Sequence, residues 1–123
     1  MVKYRFQTYY RITFCLAVFS VFVLSVIPHP ESITGDMNDK INHVLAFSVL
    51  AFLALQGFET RIRLIIVYLA AYGILIELVQ FLIPSRRCSF LDFCADLCGI
   101  GAGLFVNAVF VSIKNRREGS KKR

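Results

Sequence analysis

Apolar residues gather along the chain in four long runs, separated by short polar stretches and without any internal repeat. The runs are ITFCLAVFSVFVLSVI at 12–27, INHVLAFSVLAFLALQGF at 41–58, IRLIIVYLAAYGILIELVQFLI at 62–83 and FCADLCGIGAGLFVNAVFVSI at 93–113. The three longer runs hold 18 to 22 residues. At 1.5 Å per residue a helix of that length covers about 27–33 Å, close to the hydrocarbon thickness of a bilayer. The first run reaches it when residues 8–11 join, with Tyr4, Phe6, Tyr9 and Tyr10 placed as an interfacial aromatic belt. The pattern predicts an all-α fold, an integral membrane four-helix bundle with helices at about 8–27, 41–58, 62–83 and 93–113. Residues 1–113 then form one transmembrane domain, and 114–123 a basic cytoplasmic tail. The first run has the basic n-region of a signal peptide and a passable cleavage site at Val23-x-Ser25, but its apolar region is long and no Ala-x-Ala is present. It is read as a retained span.

Composition agrees. Hydrophobic residues make up 57% of the 123 positions and charged residues 18%, with a mean hydropathy of +0.64. Both fractions depart from those of soluble domains in the direction of a membrane protein, and 12 Phe exclude disorder except at the ends. The net charge of +6 raises nucleic acid as a partner, but six of the 14 basic residues crowd into the last ten positions, KNRREGSKKR, without interleaved aromatics. That tail suits anionic lipid head groups, and no nucleic-acid partner is expected.

Lys and Arg also set the orientation. Eleven of the 14 lie before the first run, between the second and third, or after the fourth; Lys40, Arg86 and Arg87 lie on the other side. Both termini are therefore expected in the cytoplasm, with 28–40 and 84–92 facing outward.

This topology gathers polar residues at one depth. Asp39 is a candidate N-cap for the second helix and His43 lies one turn in. Glu77 lies six residues, roughly 9 Å, before the outer end of the third run, with Gln80 on the same face. Ser89 and Asp92 form a Ser-x-x-Asp capping pattern, and Asp96 sits one turn deeper. Together with Lys40, Arg86 and Arg87 these residues come from three helices. A charge at bilayer depth costs about 2.5–3.5 kcal/mol on insertion scales, so such groups should face one another or a water-filled cleft. Arg86 is within reach of Glu77, and Glu77 could share a proton with His43 or Asp96. The plainer readings are that Asp39 and Asp92 only cap helices, that Lys40 and Arg87 only anchor at head groups, and that Glu77, Arg86 and Asp96 form an ion-pair cluster holding the bundle together. The coincidence of so many polar groups at one level favours a site.

Two further patterns concern packing. Gly99 and Gly103 make a small-xxx-small face for a close helix, within the chain or in a homo-oligomer, with Tyr72 and Gly73 as candidate neighbours. Cys94 and Cys98 stand one turn apart, but two matching ligands are not evident, so they are read with Cys15 and Cys88 as small packing residues. No metal or cofactor site is assigned from spacing, and the redox compartment is left open.

The blocks DKINHVLAF, GILIELVQFLIPSR and LDFCADLCGIGAG resemble, in order and spacing, the VanZ-like family of small bacterial membrane proteins. The matching positions are Asp39, Lys40, His43 and Phe47, then Glu77 and Gln80, then Pro84 and Arg86, then Asp92, Asp96, Gly99 and Gly103. They span 39–103, about half of the chain. Asp96 departs from the pattern, since Asn is common there. The resemblance implies a link to low-level resistance to the glycopeptide teicoplanin and settles no biochemical activity.

Three functions compete. The first is a protein of the cell envelope that binds an anionic lipid or a lipid-linked cell-wall precursor by its head group, with Arg86 and Arg87 at the outer rim. The second is a small proton-coupled homodimeric transporter with Glu77 as the proton carrier, although Glu77 lies away from the midplane where such sites belong. The third is a membrane-embedded hydrolase, for which Asp39, His43, Glu77 and Asp92 supply ligand and acid–base types but no His-Glu-x-x-His spacing. The first is preferred.

Overall fold

The computed structural model describes residues 2–27, 36–84 and 89–121. They form α1 (Val2–Val26), α2 (Asp36–Gly57), α3 (Ile62–Phe81) and α4 (Phe90–Lys121), with no strand among the described residues. The all-α expectation holds. All four helices are long and apolar enough to cross a membrane. Phe19, Tyr68, Phe81, Leu82 and Phe105 lie largely exposed on the outside of the bundle. So much apolar surface would be an aggregation liability in water and is ordinary against lipid tails. The chain therefore reads as a multi-pass membrane protein.

Helix ends depart from the apolar runs in instructive ways. α2 starts at Asp36, five residues before its run, so Asp39 lies inside the first turn and does not cap it. Acidic side chains at a helix N-terminus complement its positive end, so the polar lead-in extends the helix. α3 stops at Phe81. Pro84 disfavours helical backbone at Ile83, and the chain turns through short bonds from Leu82 N–H to Val79 O (3.1 Å) and Ile83 N–H to Gln80 O (3.0 Å). α4 starts earlier than its run because Ser89 stands at the N-cap, its Oγ accepting from Leu91 N–H at 3.3 Å. It then continues through the segment expected as a tail, reaching 32 residues. At that length α4 runs about 48 Å, well beyond what a bilayer core requires.

α2 touches all three other helices, and its longest contact is with α4; α1 and α4 do not meet among the described residues. The α2–α4 seam is made by the two glycines. A Cβ on Gly99 would lie 2.5 Å from Val44 O, and one on Gly103 would lie 2.5 Å from Ser48 O. Their neighbour is thus α2, not the Tyr72–Gly73 region of α3. Ser48 Oγ bridges the seam, donating to Val44 O (2.8 Å) and approaching Gly99 O (3.0 Å). Phe47, Leu50, Ala51 and Ala54 of α2 meet Ile65, Leu69 and Ile76 of α3 and Ile100 of α4 in the apolar core.

α1 buries little and is tied on through hydrogen bonds. Arg11 Nε donates to Gly57 O at 2.7 Å, satisfying an orphan carbonyl at the end of α2, and its guanidinium lies over the Phe58 ring. Gln7 Nε2 donates to Glu59 Oε1 at the same end (2.8 Å). Toward the other end, Tyr72 Oη donates to Val18 O (2.6 Å) and Gln80 Nε2 to Ser25 O (3.2 Å). The start of α1 therefore sits beside the α2–α3 connection, while its end meets the C-terminus of α3.

Candidate functional site

The second of those ends collects the polar residues. α2 and α4 begin there and α3 finishes there, so one short stretch of each helix is brought to a common depth. His43 and Asp96 face each other across the α2–α4 seam, His43 Nδ1 and Asp96 Oδ1 lying 2.8 Å apart. Where Asp96 is ionised it can only accept, so in that state His43 Nδ1–H donates and Nε2 keeps a lone pair in the neutral ring. Asp96 is fully buried, and its other oxygen, Oδ2, has no hydrogen-bond partner among the described residues. That oxygen lies against α3 at Gly73, where a Cβ would come within 2.6 Å of it. Gly73 is small because the Asp96 carboxylate occupies the space a side chain would need.

Glu77 closes the group from α3. One ligand atom each from His43, Glu77 and Asp96 lies within 4.8 Å of the others, and all three residues are buried. Gln80, one turn further on, is buried too and spends its amide on α1. Asp92 is buried one turn above Asp96, with Oδ1 3.8 Å from Lys40 Nζ of α2. Asp39 is half-buried beside them.

A cleft of about 360 Å³ opens between α1, α2 and α3 next to this group. Val21, Leu24, Ala46, Phe47 and Ile76 form its apolar wall, and Ser25, Asp39, Asn42, His43 and Gln80 its polar one. Glu77 also reaches a second, mostly apolar groove between α3 and α4, beside Ile74, Phe81 and Phe93. The acid cluster thus lies between two openings on the bundle's flank.

No known relative is found. The chain matches no family model, no curated protein and no solved structure.

Asp39, Lys40, His43, Glu77, Gln80, Asp92 and Asp96 all occupy the end of the bundle where the sequence puts them. The partner of His43 is Asp96. Arg86 and Arg87, and with them the expected Glu77–Arg86 pair, fall outside the described residues, as does Cys88. Cys15, Cys94 and Cys98 are free thiols, and Gly99 and Gly103 pack the seam. Sequence reasoning passed over Asn42 and Ser25, both on the polar wall of the cleft. Asn42 carried a signal as a polar residue directly beside His43. Ser25 carried none, because one hydroxyl near the end of an apolar run is commonplace. Among the described residues the site is rich in acid, with Asp39, Glu77, Asp92 and Asp96 set against Lys40 and the His43 ring.

Proposed function

We propose that this chain is a VanZ-like protein of the bacterial cytoplasmic membrane that binds a phosphate-bearing amphiphile, an anionic lipid or a lipid-linked cell-wall precursor, in the cleft between α1, α2 and α3. The cleft carries the reading. Its wall grades from apolar to polar, which suits a molecule with a hydrocarbon body and a hydrated head. Lys40, Arg86 and Arg87 supply cations near the rim in sequence, and phosphate is the anion such groups hold best. The ordered blocks of 39–103 resemble the VanZ-like pattern and support the family reading, which would bring with it a connection to glycopeptide resistance.

The test is lipid retention. Wild-type protein extracted in a mild detergent should carry phospholipid or precursor into native mass spectrometry. Ala46→Phe, which fills the cleft from its apolar wall, should lose that adduct, and Arg86→Ala should weaken it. Equal retention in both variants and wild type would remove the reading.

The site faces the cell wall in this proposal, with both termini in the cytoplasm. The support is the excess of Lys and Arg at the opposite end. With Cys15, Cys94 and Cys98 replaced by Ser, Cys88 should react with a membrane-impermeant maleimide in intact cells. Reaction only after lysis would place the site on the cytoplasmic face and end the cell-wall assignment.

A further inference from the structure

Among the described residues the site is built from acids, although the ligand proposed for it is an anion. Asp96 is fully buried, Glu77 and His43 nearly so, and they arrive from three separate helices. Asp96 pairs with His43 through Oδ1, and its second oxygen is what the group leaves open. Lys40 approaches Asp92 at the rim, a turn away from Asp96, and Asp96 Oδ2 has no hydrogen-bond partner among the described residues.

We infer that His43, Glu77 and Asp96 form a binding site for a divalent transition-metal cation of the zinc class. The donor set is one imidazole nitrogen and two carboxylate oxygens, a combination that suits zinc and its neighbours in the first row. Calcium and magnesium would ask for six or more oxygens and gain nothing from the imidazole. Two carboxylates match the charge of a dication in a region where solvent supplies little screening. The geometry is close to that required. Ligand atoms about 2.0–2.1 Å from a tetrahedral ion stand roughly 3.4 Å apart, and the three groups already offer atoms within 4.8 Å of one another. Gly73 leaves room for the Asp96 carboxylate, and Phe47, also fully buried, lines the adjoining cleft together with His43.

Three protein ligands leave one position open. His43 lines the α1–α2–α3 cleft, so that position is within reach of water or of a ligand oxygen entering from it. A bound dication would also turn an acid-rich site into one that receives an anionic head group. The metal site itself stands on the His43–Glu77–Asp96 geometry and does not depend on what occupies the cleft.

The experiment uses the full chain with all four cysteines replaced by Ser, purified on a tag without histidine, stripped with chelator, equilibrated with Zn²⁺ and desalted. Elemental analysis should find about one zinc per chain. His43→Gln and Asp96→Asn should each weaken binding by about tenfold or more in competition with a chromogenic chelator, while Tyr68→Ala, on the exposed outer face of α3, should not. Absence of zinc from the cysteine-free chain, or equal affinity in His43→Gln and Asp96→Asn, overturns the inference. Should those variants fail to fold, Co²⁺ loaded into the cysteine-free chain reads the site directly. The visible d–d bands of four-coordinate cobalt support it, and a spectrum like that of the aqueous ion overturns it. Zinc binding can fail while lipid retention survives, and the reverse, so the two readings are tested apart.

Discussion

Gly99→Ala will separate α2 from α4 and lower the thermal stability of the protein in detergent. The added Cβ would sit 2.5 Å from Val44 O, 2.8 Å from Phe47 Cβ and 3.1 Å from Val44 Cα. Two of these are backbone atoms of α2 and cannot rotate away, so the helices themselves must move. Gly103 repeats the geometry one turn on, against Ser48 O at 2.5 Å and Ala51 Cβ at 2.7 Å. Lipid tails are as apolar as the core, so helices in a membrane are held by close packing and hydrogen bonds and not by a hydrophobic drive between them. Loss of this approach, and of the Ser48 bond to Gly99 O, therefore has little to compensate it. Overpacking a well-filled interface costs about 1–3 kcal/mol, and the backbone clash puts Gly99→Ala at the upper end. Gly101 is the internal control, because a Cβ there meets nothing within 4 Å. Gly101→Ala should be neutral or stabilising by up to about 1 kcal/mol through helix propensity alone. Circular dichroism and size exclusion after heating would measure both variants. Equal melting of Gly99→Ala and Gly101→Ala would show that the seam is not a tight contact.

The same seam marks how far the sequence could be read. Four spans and the end at which polar groups gather follow from hydropathy and chain order, and neither requires knowing how the helices are rotated. Rotation decides the rest. Depth alone offers Glu77 as the partner of His43, and only the azimuth of α4, set by Gly99 and Gly103 against Val44 and Ser48, presents Asp96 to it. A small-xxx-small pattern states that some helix comes close without stating which, hence the expectation of α3 where α2 is found. Gly73 is the counterpart on α3. Its smallness is explained by a carboxylate from another helix, and nothing local to residues 72–74 announces that. Helix ends misled for a simpler reason. Polar residues end an apolar run without ending a helix, and the Lys, Arg and Glu of 114–121 are good helix formers.

Asp96→Ala will be the most damaging change within the site, and Asp96→Asn will separate stability from binding. Asp96 is fully buried and its Oδ1 is the acceptor for His43 Nδ1. Alanine leaves that N–H without an acceptor in a region of low dielectric and opens a gap beside Gly73. An unsatisfied buried donor costs about 1–3 kcal/mol, and the lost packing adds to it. Hydrogen bonds between membrane helices average only about 0.6 kcal/mol in double-mutant cycles, because the unfolded chain in lipid finds other partners; the packing term therefore decides how far beyond the lower value the loss extends. Asparagine has the same shape and keeps an oxygen for His43, so Asp96→Asn should melt close to wild type. It removes a negative charge, however, and any role that needs a carboxylate, as a metal ligand or as a proton carrier, should fail in a protein that is still folded. The cycle of Asp96→Ala, His43→Ala and the double variant isolates the pair itself, and coupling above about 0.5 kcal/mol is the expected result. Additive losses would mean that the two side chains are neighbours without an energetic bond. Asp96→Asn with unchanged zinc and lipid retention would leave the site polar packing and nothing more, for then the carboxylate that α3 makes room for at Gly73 would have no use that an amide could not fill.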